Sequence, residues 1–560
     1  MSLSKQMSRE MAQVSRRQFV GGAALAATVA GVATLGTTSA QAAEATEDAA
    51  AGHSWETKPE PIDPAAITET YDFDVVVIGA GVAGNATAEG AATEGASVAV
   101  IEQSGDLTAH GCDNACVNAR FQQEQGIEFD KDEMFKLLYR WSQQQANPSL
   151  IRTWLDRSGE VFDHYCDLAA DAGLGLMSAY SNTSKEDWED NDEWFREYRT
   201  AMSFGDPSEG IIIDIEKFQF LEYHLVELLA NAAQANGAEY VFNTRAQQLV
   251  TDDSGAVTGV VCTTENGDYV QYNAAKGVVL ACGDISGNND MKKVFCPITL
   301  RADSVAYFPA QGNLGDGINM GCWVGAAVSK SSAAHAVHPI SGSPLTCLDM
   351  SWLAVNRNGE RFCAEVPFEP YVTNARMNQP GNVAWNIYDG KFKERVMAQE
   401  PNTGAALLEG IDDVIESTKG TDLLYVADTL EDLATQLGIP ADTFAATVER
   451  YNEVCATGVD VDFGVPERFL AAVEEAPFYA VPMPAQTLAI PFGLHVDNNS
   501  QVCTEDDEPI AGLFAVGNVQ GDFFGCSYPV FCPGLSHGRA LTFGTLVGRA
   551  LAHDTVLTAN

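Results

Sequence analysis

The sequence is poor in basic residues. Its 560 residues include 32 lysines and arginines against 77 aspartates and glutamates, which gives a formal net charge of −45 at pH 7. Nucleic acids and anionic membrane surfaces are bound through basic faces, and this composition does not supply one. We therefore expect neither as a partner, whereas a basic electron-donor protein would suit so acidic a chain. A chain of this length can hold two or three domains with sizeable cores.

The thirteen cysteines lack the spacings of the common cofactor motifs. The sequence contains no C-x-x-C-H motif, and this absence excludes an attached c-type haem. It also lacks the C-x-x-C motif that is typical of ferredoxin-like clusters. The two closest pairs are Cys112 with Cys116 and Cys526 with Cys532. Buried free thiols are the first interpretation, and a disulfide or a metal site are the alternatives.

The N-terminal apolar run is too short to be a typical membrane span. It extends from Val20 to about Leu35 and is rich in alanine, glycine and threonine. A twin-arginine signature, SRRQFV at 15–20, precedes it, and the A-x-A cleavage site at 40–42 follows it. Residues 1–42 are thus predicted to be a signal peptide for twin-arginine export, with a membrane anchor as the alternative. The mature protein would work in the periplasm or at the extracytoplasmic face of the cell envelope.

The most informative stretch runs from residue 71 to 105. A predicted buried strand leads into Gly79, Gly81 and Gly84 in the spacing G-x-G-x-x-G, and a small-residue helix and a second strand follow, ending at Glu102. Gly79 allows a tight turn, Gly81 the approach of a pyrophosphate, and Gly84 the packing of helix on strand. The acid is placed to accept ribose hydroxyls, and the helix N-terminus favours phosphates. The stretch predicts dinucleotide binding without choosing between FAD and NAD.

Three later segments resemble parts of one flavoprotein family. They are a strand with the sequence VVLACG at 278–283, a helix opened by GDG at 315–317, and GLFAVGN at 512–518. With the first motif they resemble the FAD-binding flavoproteins of the fumarate reductase and succinate dehydrogenase superfamily, over about residues 71 to 554. The resemblance implies FAD as the cofactor.

The resemblance also implies the fold class and the domain order. We expect an α/β protein in which a Rossmann-like FAD-binding domain is interrupted by an α+β capping, substrate-binding domain, with the active site between them. The predicted order is a signal peptide (1–42), a linker (43–70), the first part of the FAD-binding domain (71–337), the capping domain (338–489) and the second part of the FAD-binding domain (490–554).

Specific cofactor contacts are implied by the same resemblance. They are Gly79, Gly81, Gly84 and Glu102 at the ADP half, Ala246 beside the adenine, Gly283 and Asp316 at cofactor-side turns, Gly517 and Asn518 over the ribityl chain, and Gly534, Leu535 and Ser536 at the C2 carbonyl of the isoalloxazine. The last three open a helix whose N-terminus would stabilise negative charge on reduced flavin. The stretch from His110 to Asn114 departs from the usual glycine-rich loop beside the flavin.

Catalytic residues are implied in the inserted domain. The segment 355–365 is similar to a family segment in which the arginine matching Arg361 donates a proton to the substrate, and a structural arginine paired with Glu365 is the alternative. An arginine can donate only if it is re-protonated quickly, because its ordinary pKa is far above neutral. His338, followed by a proline, resembles the family's substrate-facing histidine, with a core histidine as the alternative. His335 is predicted to be structural.

Two cationic side chains that hold substrate carboxylates in fumarate-type relatives have no counterpart at the matching positions. No histidine precedes Gly493, and residues 521–538 contain no arginine. A buried carboxylate without a cationic partner is costly, so we expect a substrate other than a dicarboxylate. The segment 525–534 instead resembles a tyrosine-containing element of 3-ketosteroid dehydrogenases, in which Tyr528 with Gly534 would polarise a carbonyl group.

These observations predict an exported FAD-dependent reductase. Hydride would pass from flavin N5 to a conjugated C=C bond of a small organic acceptor, either an enone or an unsaturated monocarboxylate. Arg361 would donate the proton, and Tyr528 and His338 would orient the carbonyl group. A separate cytochrome or membrane protein would supply the electrons, because this chain has no haem motif. The alternatives are an oxidase of a ketone substrate, like the 3-ketosteroid dehydrogenases, and a flavin-binding electron carrier without substrate chemistry.

Overall fold

The computed structural model describes residues 52–178, 198–206, 212–214, 219–305, 312–338, 351–365, 371–399, 404–408, 410–555 and 557. The predicted signal peptide lies outside these residues, as does Pro339, the neighbour of His338. Within them, no helix combines the length and the apolar character that crossing a bilayer would require.

Strands and helices alternate along much of the described chain. The strands are β1 (Ile67–Ile78), β2 (Val98–Ile101), β3 (Asn114–Ala115), β4 (Leu176–Ser178), β5 (Ala201–Phe204), β6 (Ile212–Asp214), β7 (Gln219–Phe220), β8 (Glu239–Val241), β9 (Thr244–Thr251), β10 (Val257–Thr264), β11 (Tyr269–Leu280), β12 (Ser304–Val305), β13 (Ala336–His338), β14 (Leu353–Asn356), β15 (Ala384–Tyr388), β16 (Tyr425–Ala427), β17 (Phe478–Pro482), β18 (Gln486–Ala489), β19 (Gln501–Cys503) and β20 (Pro509–Ala515). The helices are α1 (Val82–Thr93), α2 (Arg120–Glu124), α3 (Lys131–Trp141), α4 (Pro148–Ala172), α5 (Tyr223–Ala235), α6 (Asn289–Phe295), α7 (Asp316–Trp323), α8 (Tyr371–Met377), α9 (Phe392–Gln399), α10 (Gly404–Leu407), α11 (Ile411–Thr418), α12 (Leu430–Leu437), α13 (Ala441–Thr457) and α14 (Leu535–His553).

The largest sheet gathers strands from both ends of the described chain. Its order is β19-β20-β11-β1-β2-β8, with β10 beside β11 and β9 beside β10. The central pairs are parallel, and their register places Ile78 beside both Ile101 and Leu280, with Leu280 beside Ala515. These strand ends are almost fully buried and apolar, as is typical of a parallel sheet covered on both faces. Four strands therefore end at the same level, and the turns that follow them converge on one edge of the sheet.

The first and last long helices of this lobe pack closely against each other. A Cβ atom at Gly544 would lie 2.6 Å from the carbonyl oxygen of Ala83, and one at Gly548 would lie 2.3 Å from that of Thr87. The glycines of α14 thus allow the backbones of α1 and α14 to approach each other. Because both helices begin at the same edge of the sheet, this contact brings their N-termini together.

A second lobe is formed by residues between β13 and β18. Its antiparallel sheet has the order β14-β15-β17-β16, and helices α11, α12 and α13 contribute apolar side chains to the two cores on this sheet. We call this lobe the cap. Strands β13 and β18, which precede and follow it, pair antiparallel in a small sheet with β12. The predicted α/β class is confirmed. Strand β1 begins at Ile67, four residues before the predicted start of the first domain.

Candidate active site

The glycine motif forms a turn with open space at its centre. Gly79 has a φ of 110°, and a Cβ atom there would lie 2.5 Å from the carbonyl oxygen of Ala281. A Cβ atom at Gly84 would lie 1.8 Å from the carbonyl oxygen of Gly79, so helix packing requires glycine at 84. At Gly81, by contrast, the nearest atom is Oγ1 of Thr108, 3.7 Å away. The open side of Gly81, at the N-terminus of α1, fits an approaching pyrophosphate.

Glu102 holds the same turn from the end of β2. One carboxylate oxygen accepts a hydrogen bond from the N–H of Ala80 and the other from the N–H of Ser104, each at 2.8 Å. The residue is only 6 % exposed. Each oxygen of a carboxylate has a second acceptor site, so Glu102 can also accept a ribose hydroxyl. The arrangement fits the dinucleotide prediction.

Ala246, predicted beside the adenine, and Asp316, predicted at a cofactor-side turn, are linked by an arginine that the sequence did not single out. Ala246 is buried on β9, and its neighbour Arg245 forms an ion pair with Asp316, with a closest N–O distance of 2.8 Å. Asp316 begins α7. Gly283, in the turn after β11, has a φ of 76°, and a Cβ atom there would lie 2.0 Å from Oδ1 of Asn313. Arg245 therefore links β9, next to Ala246, to the N-terminus of α7 at Asp316.

The predicted ribityl-side and ring-side residues also lie together. Ser536 Oγ donates a hydrogen bond to Oδ1 of Asn518 at 3.0 Å, which joins the first turn of α14 to the turn after β20. The carbonyl oxygen of Gly534 accepts a hydrogen bond from the N–H of Ala115 at 2.9 Å. Leu535, between them, is fully buried. A Cβ atom at Gly517 would lie 2.8 Å from that of Ala83 in α1, so this turn also packs on the first helix.

Tyr528 lies beside the N-terminus of α14. Its ring stacks on that of Phe524, with 5.3 Å between centroids. Burial raises the pKa of Tyr528 to about 12, and a hydrogen bond with the backbone N–H of Ser536 opposes that rise. The phenol is therefore neutral near pH 7, which leaves it able to donate a hydrogen bond to a carbonyl oxygen.

His338 ends β13, at the border of the cap. Burial lowers the pKa of His338 to about 4, so its imidazole is neutral near pH 7. His335, three residues earlier, has its Nε2 atom 3.0 Å from Oδ1 of Asn374 in α8. A neutral imidazole can orient a polar substrate group but adds no positive charge to the cleft.

Arg361 lies in the cap, between two carboxylates and two aromatic rings. Its guanidinium forms forked hydrogen bonds of 2.7–3.1 Å with Glu365 and Asp460. The rings of Tyr451 and Phe463 lie 4.9 and 4.8 Å from its central carbon. Burial alone would lower the pKa of Arg361, yet its hydrogen bonds with the two acids raise it. The pairing with Glu365 agrees with the structural alternative, and proton donation by Arg361 stays a prediction.

Sequence reasoning missed Arg539, which is fully buried in the second turn of α14. It donates hydrogen bonds to Oδ1 of Asn518 at 2.8 Å and to the carbonyl oxygen of Gln520 at 3.1 Å, and its guanidinium lies 4.9 Å from the ring of Phe524. None of these partners is charged, and burial lowers the pKa of Arg539 to about 9. Residues 521–538 contain no arginine, and Arg539 is the next residue after that stretch. An arginine in the second turn of a helix rich in apolar and small residues was the available signal.

The loop before Tyr528 is fixed by a partly buried histidine and a buried aspartate. Nδ1 of His495 lies 2.6 Å from Oδ2 of Asp522, whose carboxylate also accepts hydrogen bonds from Ser329 Oγ and the N–H of Val496. Nε2 of His495 lies 2.6 Å from Oδ1 of Asp507. The hydrogen bond with Asp522, followed by the effect of Asp507, raises the pKa of His495.

His495→Gln is expected to lose more stability at pH 6 than at pH 9. Because the pKa of His495 is raised in the folded protein, its contribution is complete below the unfolded pKa of about 6.5 and is lost as the pH rises through the folded pKa. We expect a deficit of about 2 kcal/mol at pH 6 from urea denaturation. His553→Gln is the control, because its pair with Glu94 is exposed and should matter little at either pH. Equal losses at both pH values would contradict this role.

The cysteines in the described part of the chain are all free thiols. They number twelve, because Cys347 lies outside the described residues. Cys116, Cys262, Cys296, Cys363, Cys503 and Cys532 are buried. In the described part of the chain, no group of three or more histidine, cysteine or acidic side chains is placed to hold a metal ion.

Comparisons with known proteins agree with this geometry. Residues 74–530 match the family described as FAD binding domain. Urocanate reductase of Eggerthella lenta is 26% identical over 88% of this chain and 77% of its own length. Vinyl phenol reductase of Lactiplantibacillus plantarum is 26% identical over 86% of this chain and 97% of its own length. A 3-oxosteroid 1-dehydrogenase of Mycolicibacterium smegmatis is also among the relatives.

A solved structure shows the same fold. The open conformation of a flavocytochrome c3 fumarate reductase superposes with a TM-score of 0.63 at 24% identity, covering 90% of this chain and 82% of that one. The predicted FAD cofactor is confirmed by the family match, and the turn at Gly81 and Glu102 fits it. The chain therefore belongs to the FAD binding domain family, and it is an FAD-dependent oxidoreductase acting on CH–CH bonds, related to the reductases and the 3-oxosteroid dehydrogenases of that family.

Proposed function

We propose that the protein is an exported reductase that saturates a C=C bond conjugated to a carbonyl group or another electron-withdrawing group in a small organic acceptor. The relatives named above include reductases of urocanate and of vinyl phenol, both unsaturated compounds of this size. The observation that carries the proposal is the neutral Tyr528 hydroxyl beside the N-terminus of α14. A neutral hydroxyl donor suits a carbonyl or phenol oxygen better than it suits a carboxylate, which prefers a cationic partner.

Bound FAD, once reduced by the electron donor, would supply a hydride, and the chain's own residues would prepare the acceptor. Tyr528 would donate a hydrogen bond to the acceptor's oxygen, which draws electron density away from the alkene. His338, neutral near pH 7, would fix the orientation of the same end. The N-terminus of α14 would stabilise negative charge on the reduced flavin. The cap would exclude water from the cleft.

A proton must also reach the second carbon of the alkene. Arg361 is the predicted donor, and its two carboxylate partners would return the proton to it. Four of its N–H groups are engaged by Glu365 and Asp460, so donation requires at least one of these hydrogen bonds to break. An Arg361→Lys variant that retains the fold and loses turnover would support the donor role.

The electrons would come from a separate protein outside the cytoplasm. The twin-arginine signature and cleavage site support export, and the net charge of −45 suits a basic donor such as a small cytochrome. The solved fumarate reductase structure is that of a flavocytochrome, which is consistent with a cytochrome as the donor. Two electrons and two protons are consumed for each alkene reduced.

A second candidate is the reverse chemistry, the oxidation of a ketone substrate to an unsaturated ketone. The Tyr528 element and the 3-oxosteroid 1-dehydrogenase relative favour it. Turnover of a 3-ketosteroid with an artificial electron acceptor, faster than alkene reduction with a reduced dye, would favour this direction.

Reduced methyl viologen should be oxidised when the holoenzyme is given a suitable alkene. We would test urocanate, 4-vinylphenol, acrylate and fumarate. Tyr528→Phe is expected to lower kcat/KM by ~10–100-fold, because it removes one donor from the developing charge. Tyr425→Phe, in the cap strand β16, is the matched control and should leave the rate unchanged. If none of a broad panel of conjugated alkenes reoxidises the viologen, the proposed function is wrong.

A further inference from the structure

Two aromatic side chains with unsatisfied polar atoms meet at the border between the cap and the FAD-binding lobe. Trp141 ends α3 and Tyr371 begins α8, with ring centroids 5.6 Å apart and planes inclined by 68°. Indole Nε1 and phenol Oη are both buried, and neither has a hydrogen-bond partner among the described residues. Burying an unpaired polar group costs free energy, so two such groups in one aromatic contact call for a ligand that satisfies them.

The FAD-lobe side of this contact adjoins Tyr528. Phe531 packs edge-on against Trp141, with 5.2 Å between centroids, and lies three residues after Tyr528. Cys526 Sγ donates to the carbonyl oxygen of Ser142, next to Trp141, at 3.4 Å. The end of α3 is therefore docked on the loop that carries Tyr528.

The cap side adjoins His338. Helix α8 packs on β13, the strand that ends at His338. Two further buried hydroxyls without partners lie close by in the fold. Thr373 is on α8, two residues from Tyr371, and Thr487 is on β18, paired with Val337 of β13. Unsatisfied polar groups are thus concentrated on the elements that join Tyr371 to His338.

Other tryptophans show why an unpaired indole alone is not sufficient. The Nε1 atoms of Trp154 and Trp352 also lack partners. Both residues are enclosed, at 0% and 3% exposure, and belong to the apolar cores of their own lobes. Trp141 differs because it is only partly buried and contacts a second unsatisfied group from the other lobe.

The chemistry of this corner selects one class of ligand. Indole N–H is a donor only, and the phenol can donate as well, so both suit an acceptor oxygen. Neither group is charged near pH 7, because burial raises the pKa of Tyr371 above its ordinary value. An aromatic ring of the ligand would pack edge-on or offset against these side chains, as aromatic pairs do. A carboxylate would find no cation among Trp141, Tyr371 and Phe531.

We propose that Trp141, Tyr371 and Phe531 seat the ring of an aryl-substituted alkene, with a ring oxygen substituent accepting hydrogen bonds from Trp141 and Tyr371. This deepens the proposed function and rests on it for the chemistry at the alkene. The substrate class is then an aryl alkene with an oxygen substituent on the ring, in which the alkene and its conjugated carbonyl group extend toward Tyr528.

Binding of a saturated product analogue tests the proposal without any turnover. The oxidised holoenzyme would be titrated calorimetrically with 4-ethylphenol and with ethylbenzene, which differ only in the hydroxyl. We expect the wild type to prefer 4-ethylphenol, and Trp141→Phe and Tyr371→Phe each to bind it ~10-fold more weakly while binding ethylbenzene as before. Trp352→Phe is the matched control and should bind both ligands like the wild type.

Several results would overturn the proposal. Equal affinity of the wild type for the two ligands, or no binding of either, would do so, as would a loss at Trp352→Phe equal to that at Trp141→Phe. Retained flavin absorbance would show that each variant is folded, and Tyr371→Phe removes a single oxygen atom.

If the binding pattern is found but no alkene is reduced, the proposed function fails while the aryl site stands. If alkenes are reduced without the binding pattern, the aryl site fails alone.

Discussion

Gly84→Ala is expected to yield protein that no longer retains FAD. The new Cβ atom would lie 1.8 Å from the carbonyl oxygen of Gly79, so α1 would have to move away from β1. Such overpacking costs about 2 kcal/mol or more, which is a ~30-fold or greater loss of affinity if the cofactor site bears it. The displaced helix N-terminus would no longer face the phosphates. Visible flavin absorbance per protein and FAD titration of the apoprotein measure the effect.

Gly81→Ala is expected to weaken FAD binding without destabilising the apoprotein. Its Cβ atom would meet nothing closer than 3.7 Å, so the apoprotein should keep its stability to within about 1 kcal/mol. The methyl group would nevertheless occupy the open side of the turn, and FAD should bind more weakly. Gly84→Ala should lower both apoprotein stability and FAD affinity. Full FAD affinity in Gly81→Ala would contradict our placement of the pyrophosphate.

Arg361→Met is expected to destabilise the cap by about 3–5 kcal/mol at pH 7. The substitution would leave two carboxylates without their cation, and the side chains of Glu365 and Asp460 are only 2% and 0% exposed. Burial opposes ionisation of Asp460, but the hydrogen bonds from Arg361 and from backbone N–H groups lower its pKa to about 2. Its contribution is therefore present above the unfolded pKa of about 3.9 and is lost as the pH falls toward 2. The deficit in urea denaturation should shrink from pH 7 to pH 3.

An exposed arginine of the cap provides the control for Arg361. Arg450 pairs with Asp462 at half exposure, so Arg450→Met should cost no more than about 1 kcal/mol. Stability of Arg361→Met equal to that of the wild type at pH 7 would contradict the structural role. Arg361→Lys then tests proton donation, because lysine retains the charge beside both acids but not the forked hydrogen bonds.

The sequence predicted the dinucleotide turn well because its signals are local. Strand, glycines, helix and acid lie within 35 residues, and each residue has its own reason to be there. By contrast, the boundary between β8, which ends at Val241, and β9, which begins at Thr244, depends on a distant contact. Asn243, with a φ of 51°, turns the chain, and the N–H of Thr244 donates to the carbonyl oxygen of Glu102. A distant part of the chain thus decides where that strand ends.

The partners of the site residues could not be predicted from the sequence, because they too come from distant parts of the chain. Asp460 contacts Arg361 from 99 residues away, and no spacing in the sequence marks it. Trp141 and Tyr371 meet only because α3 and α8 adjoin in the folded chain. Arg539 was overlooked because its meaning depends on burial, and its uncharged surroundings come from the loop between β20 and α14.

The contact between α1 and α14 has a consequence for biosynthesis. The phosphate-binding turn leaves the ribosome more than 400 residues before β20 and α14, which complete its surroundings. A nascent chain cannot retain its cofactor. FAD must therefore be loaded after the chain is released from the ribosome, in the compartment where FAD is synthesised. The predicted twin-arginine leader would suit that order, because this route transports proteins that have already folded. Chains truncated before Pro509 should therefore emerge colourless.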